Sequence, residues 1–141
     1  MQTMRSHAPG VDAIVGYAAD GRGSGVAYAR LSLGRSRRLL RVGFRVGSAA
    51  PFPERAVGYA ALTAVTRVLC RRGFREVRFA LADADFVEEI ASGRGVGETL
   101  VLPYVRLRCA LNSLITFDVR TAPTDDLTQR ARAEAALNVA A

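Results

Sequence analysis

Acids, not histidines or cysteines, are where this sequence could do chemistry. Its only histidine is His7, and Cys70 and Cys109 stand far apart with no CxxC spacing. A zinc centre, a Ser-His-Asp triad and a Cys-His pair therefore all lack their parts. The densest acidic stretch is "EVRFALADADFVEEI" at positions 76–90, with Asp83, Asp85, Glu88 and Glu89. Carboxylates in such a place could hold a divalent metal, which prefers oxygen ligands. They could equally begin a helix, accepting its unpaired N–H groups and suiting the positive end of its dipole. Asp83, ending an apolar strand, is harder to explain as a turn residue. Asp85, Glu88 and Glu89 read as capping or solvated groups. Asp20, in "YAADGRGSG", is the other acid at a strand end, although Asp-Gly is also a favoured hairpin turn.

The second candidate chemistry is cationic. Net charge is +7 and every basic side chain is arginine. Residues 1–50 hold eight Arg against two acids, concentrated in "RLSLGRSRRLLRVGFR" at 30–45. Arg35, Arg37, Arg38 and Arg41 there form a patch that would attract polyanions and bind nucleic acid in a salt-dependent way. The competing reading is an ordinary solvated strand face and turn.

With 141 residues, half of them apolar, the chain is long enough for one compact domain with a core. We expect that domain over 11–141, after a flexible tail at 1–10. No apolar run approaches the roughly 18 residues that span a membrane, and "MQTMRSHAPG" lacks the apolar core of a secretory signal. The expected location is cytoplasmic.

These groups need a frame to position them. "AIVGYAAD" and "GVAYARL" flank a hairpin turn. "LLRVGFRV" then alternates Val42, Phe44 and Val46 with Arg41, Gly43 and Arg45, as a half-buried strand does. After "GSAAPFPE", Ala61, Leu62, Val65, Val68 and Leu69 recur at helical spacing up to about Arg72. "EVRFALA" predicts a strand ended by Asp83, and "ADFVEEIAS" a short helix stopped near Gly93. "GRGVGETLVL" reads as a loop, 103–114 as a helix, 115–121 as a strand and "TDDLTQRARAEAALNVA" as a final helix capped by Thr124 or Asp125. Both cysteines lie in apolar helical surroundings and read as small buried hydrophobes. The order is βββ-α-β-α-(α)-β-α, a meander followed by βα units.

This order, with Asp20-Gly21 ending the first strand, Asp83 leading into "DFVEEI" and the late segment "LPYVRLRCALNSLITFDVRTAP", resembles the ribonuclease H family, in its bacterial reverse-transcriptase-like, type 1 branch. The resemblance extends over about residues 12–140. It implies an α/β fold with a five-stranded mixed sheet: three antiparallel strands, then parallel ones, with helices on both faces. It also implies a phosphodiesterase using two Mg²⁺ (or Mn²⁺) ions held by carboxylates from separate elements, with Asp20 and Asp83 as the metal-binding catalytic pair.

The sequence departs from the family's pattern at the remaining acids. The family's first helix carries a Glu where "ERAVGYAAL" has Gly58, and Glu54 lies one turn earlier. Its last helix carries an Asp where this sequence offers Thr128, Gln129 or Arg130. Asp126 or Glu134 would fill that role with a shifted alignment. The expected function is therefore a ribonuclease H-like nucleic-acid-binding domain, weakly active or non-catalytic, with RNA/DNA hybrid or RNA as its partner and a protein as the alternative partner. The competing expectation is an active Mg²⁺-dependent endonuclease that cuts RNA in such hybrids.

Overall fold

A computed structural model describes residues 10–47 and 53–140. The expected tail, His7 and the segment 48–52 lie outside the described residues, except that Gly10 already opens the first strand. Strands β1 (Gly10–Ala19), β2 (Ser24–Leu33) and β3 (Ser36–Arg45) form the meander, followed by helix α1 (Glu54–Arg71), β4 (Glu76–Leu81) and α2 (Ala84–Ser92). A 3-10 turn at Glu98–Leu100 runs into α3 (Val101–Leu111), and β5 (Thr116–Thr121) and α4 (Asp125–Ala140) complete the chain. The sheet order is β3-β2-β1-β4-β5. The β1–β2 and β2–β3 pairs are antiparallel, and the β1–β4 and β4–β5 pairs are parallel. This is the five-stranded mixed sheet expected from the sequence. Boundaries move at β3, which starts at Ser36 within the stretch read as a turn, and at helix α3, which starts two residues before Pro103 within the stretch read as loop. Proline in the first turn removes no helical hydrogen bond, so the helix tolerates it there.

Alternation along the strands sorts side chains between two faces. Val11, Ala13, Val15, Ala27, Ala29, Leu40, Val42, Phe44, Val77 and Phe79 bury one face against Tyr59, Leu62 and Leu69 of α1, Phe86 and Ile90 of α2, and Leu107 of α3. On the opposite face Ile14, Ala18, Val26 and Tyr28 meet Leu127 and Ala131 of α4. Helix α4 crosses β1 so closely that a Cβ at Gly16 would lie 2.6 Å from the Thr128 backbone nitrogen. Only glycine fits there. The cysteines depart from expectation, with Cys70 partly buried and Cys109 exposed. Cys109 follows Val101 and Val105 at four-residue spacing along the outer side of α3, while Leu107, Ala110 and Leu111 face inward.

Two polar clamps fasten α4 to the sheet. Arg30 of β2 pairs with Asp126. Glu134 receives the Tyr28 hydroxyl and the Arg41 guanidinium, whose Nε lies 2.9 and 3.0 Å from its two oxygens. The ring of Tyr28 in turn lies 4.8 Å beneath the Arg130 guanidinium. The Arg41 hydrogen bonds, then that of Tyr28, hold the Glu134 carboxyl down at about 2, against an ordinary 4.5. Because the folded value is depressed, the clamp stabilises fully above pH 4.5 and is lost as pH falls toward 2. Glu134→Gln should therefore lower the melting temperature at neutral pH and flatten its decline across that acid window. A parallel decline for variant and parent in a pH series of melting curves would refute the clamp.

Candidate active site

The C-terminal ends of β1 and β4 open on a cavity of about 770 Å³, lined by Tyr17, Asp20, Glu54, Asp83, Thr124, Thr128 and Arg132 among others. The sheet places it: parallel pairing sends β1 and β4 out at the same end. Asp20 and Asp83 thus line one cavity, although they are not level. The β1–β4 register runs to Ile14 opposite Ala80. Continued three places, it sets Asp83 opposite Tyr17, with Asp20 about 10 Å further along at strand rise.

Each aspartate has a local backbone task. Asp20 Oδ1 accepts from the amides of Arg22 (2.8 Å) and Ser24 (3.0 Å), closing the β1–β2 turn. Asp83 Oδ1 accepts from the amides of Asp85 (3.0 Å) and Phe86 (3.2 Å), capping α2. Its other oxygen lies 3.8 Å from Nη2 of Arg55.

Glu54, the first residue of α1, also lines the cavity. Asp126 and Glu134 do not. Thr124, just before α4, and Thr128 and Arg132 on it form the row toward the cavity. Asp126, Arg130 and Glu134 are displaced by two residues, about 200° around the helix, and serve the sheet clamps instead. Thr128 is thus the residue of α4 that the cavity meets where the resemblance implies an acid.

Gly58 explains itself structurally. A Cβ there would lie 2.7 Å from both the Tyr17 hydroxyl oxygen and the Phe86 ring. Two aromatic side chains, from β1 and α2, crowd the point where any side chain at this position would leave α1. Burial, then the nearby charges of Asp83 and Glu54, pushes the Tyr17 hydroxyl up to about 12. It stays a neutral phenol at physiological pH.

Glu89, read from sequence as a capping or solvated acid, is buried at 7% exposure. It accepts from Nη1 of Arg55 at 2.7 Å and from the Tyr59 hydroxyl. The signal was present in the sequence: Phe86, Glu89 and Ile90 sit at i, i+3 and i+4, which is one helix face. Arg55, Tyr59 and Tyr17 carried no comparable mark, since what they touch lies on other elements.

Arg35, Arg37 and Arg38 lie at the β2–β3 turn and the start of β3, exposed and without a partner among the described residues. Since β2 runs away from the cavity, they sit at the opposite end of the sheet, roughly 30 Å distant at strand rise. Arg41 departs from the patch, being held by Glu134.

The chain has the ribonuclease H fold. An RNase H1 from the halophilic archaeon Halobacterium salinarum matches it with a TM-score of 0.71 over 92% of this chain and 98% of that one, at 20% identity. The N-terminal RNase H domain of a Mycobacterium tuberculosis protein, solved as a fusion with maltose-binding protein, matches with a TM-score of 0.69 over 93% and 99%, at 17% identity. The RNase H1 called LC11, solved in complex with an RNA/DNA hybrid, matches with a TM-score of 0.66 over 87% and 91%, at 15% identity. No protein-family model and no curated protein sequence matches the chain.

The Mg²⁺ that the resemblance implies does not fit the residues here. Magnesium asks for an octahedral oxygen shell anchored by carboxylates. Among the described residues no group of three potential ligands comes together. Both aspartates of the cavity are engaged by backbone amides, and a guanidinium already stands beside Asp83.

Helix propensity alone would make Gly58→Ala stabilising by about 1 kcal/mol. The crowding at that point reverses the sign, and we expect a loss of about 1–3 kcal/mol from overpacking. Urea denaturation measures it, and a stabilised variant would mean that the Tyr17–Phe86 contact is not tight.

Proposed function

We propose that this chain is a ribonuclease H-like nucleic-acid-binding domain that is weakly active or non-catalytic. The observation that carries the reading is the close packing at Gly58, where even a Cβ would lie 2.7 Å from the Tyr17 hydroxyl and the Phe86 ring. Two-metal hydrolysis depends on neutralising charge at both the attacking and leaving oxygens, and a depleted carboxylate set forfeits several kcal/mol of that stabilisation. The partner we assign is an RNA/DNA hybrid or RNA, in keeping with the hybrid bound by LC11 RNase H1.

Phosphate contacts would come from the arginines on and beside the edge strand. Arg35, Arg37 and Arg38 are exposed and lack carboxylate partners among the described residues. Arg71 and Arg72, at the end of α1, line a groove with Leu40–Gly43 of β3 and extend the same basic surface. Strand β3 itself has ten residues, about 30 Å of edge along which a nucleic-acid backbone could lie.

Two measurements test the proposal. Incubated with a labelled RNA/DNA hybrid in Mg²⁺ or Mn²⁺, the protein should cut little or no faster than its Asp83→Asn variant, in which Asn still caps α2. Rapid, multiple-turnover cutting that needs the metal and that Asp83→Asn abolishes would establish an active nuclease instead. In a salt titration of hybrid binding, replacing Arg35, Arg37 and Arg38 with Ala should reduce the log–log slope by up to about three. An unchanged slope removes the hairpin from the interface.

A further inference from the structure

The feature that the binding reading leaves unused is the buried network between α1 and α2. Glu89 lies closed off from water with Arg55 on one oxygen and Tyr59 on the other. An ionised carboxylate in such a place is strongly unfavourable without a counter-charge and donors. Arg55 supplies the charge. Its second nitrogen reaches toward Asp83, and its carbon centre lies 5.3 Å over the Phe86 ring. A guanidinium suits this position because its planar fork can face two carboxylates while stacking on an aromatic ring. Arg55 and Tyr59 stand one turn apart, so α1 presents cation and hydroxyl side by side.

We propose that Arg55 takes over the part a divalent cation would play at this end of the sheet, neutralising Asp83 and Glu89 from within the protein. These two carboxylates then need no metal to offset their charge. Gly58 belongs to the same device: with no side chain there, the Phe86 ring packs against α1 directly under Arg55. A metal ion entering beside Asp83 would meet a fixed positive charge a few ångströms away, which opposes its binding. This inference deepens the non-catalytic reading, but its readout is metal binding and fold stability rather than cleavage, so either can fail alone.

Thermal unfolding tests it, comparing EDTA with about 10 mM MgCl₂ or MnCl₂ at matched ionic strength. The parent protein should shift by less than about 1 °C. Arg55→Met should melt roughly 3–10 °C lower in EDTA, and Mg²⁺ or Mn²⁺ should now raise its melting temperature, since both carboxylates are left without their cation. If Arg55→Met fails to fold, the double variant Arg55→Met/Glu89→Gln must restore the folded state, because it removes the buried charge along with its partner. Metal stabilisation of the parent that Asp83→Asn abolishes would overturn the proposal. So would an Arg55→Met protein as stable as the parent, or a double variant that remains unfolded.

Discussion

Three elements converge on one point of this molecule with no volume to spare: α1 at Gly58, β1 at Tyr17 and α2 at Phe86. Interiors pack at near-crystalline density, so space given to one side chain is denied to another. Here the space goes to a phenol and a phenyl ring. Tyr59 extends the contact, meeting Phe86 edge-on at 5.0 Å and Tyr104 at 6.1 Å. The position that the ribonuclease H resemblance assigns to a metal-binding glutamate is here a glycine packed against an aromatic cluster.

The acids of the chain are correspondingly drawn into structural work. Asp20 closes a turn, Asp83 caps a helix, Glu89 answers Arg55 and Tyr59, and Asp126 and Glu134 fasten α4 to the sheet. Asp12 and Arg78 pair across the β1–β4 ladder, which draws the Asp12 carboxyl below its usual range. The exposed pairs among these each contribute little to stability. The Arg55–Glu89 contact differs because Glu89 is buried, so that removing Arg55 leaves a carboxylate largely shut off from water. Arginine's excess over acid remains on the outer surface, at the β2–β3 turn and the end of α1, where it is available to a polyanion.

Local patterns in the sequence were enough to predict most of the frame. Alternation at Val42, Phe44 and Val46 and four-residue spacing through Ala61, Val65 and Leu69 each reflect contact with a core, and a core imposes its periodicity directly on the chain. Where the structure departs from the local pattern, two rules compete. Pro103 suggested a helix start, yet a proline in the first turn permits the helix to begin earlier. Cys109 looked like a core residue by composition, yet its phase on α3 turns it outward with Val101 and Val105. For Glu89 the spacing with Phe86 and Ile90 outweighed its charge.

The sequence by itself determined the order of the elements, the face each strand buries and the absence of an acid at position 58, because these depend on residue type and on neighbours a few places away. Only the tertiary structure decided that Tyr17 joins Asp20 and Asp83 around one cavity. It alone joined Arg55 to Glu89 and drew Arg41 out of the basic patch toward Glu134. Such pairings are set by the register between strands and the approach of helices distant in the chain. A shift of one residue in either would exchange every partner while leaving the local pattern unchanged.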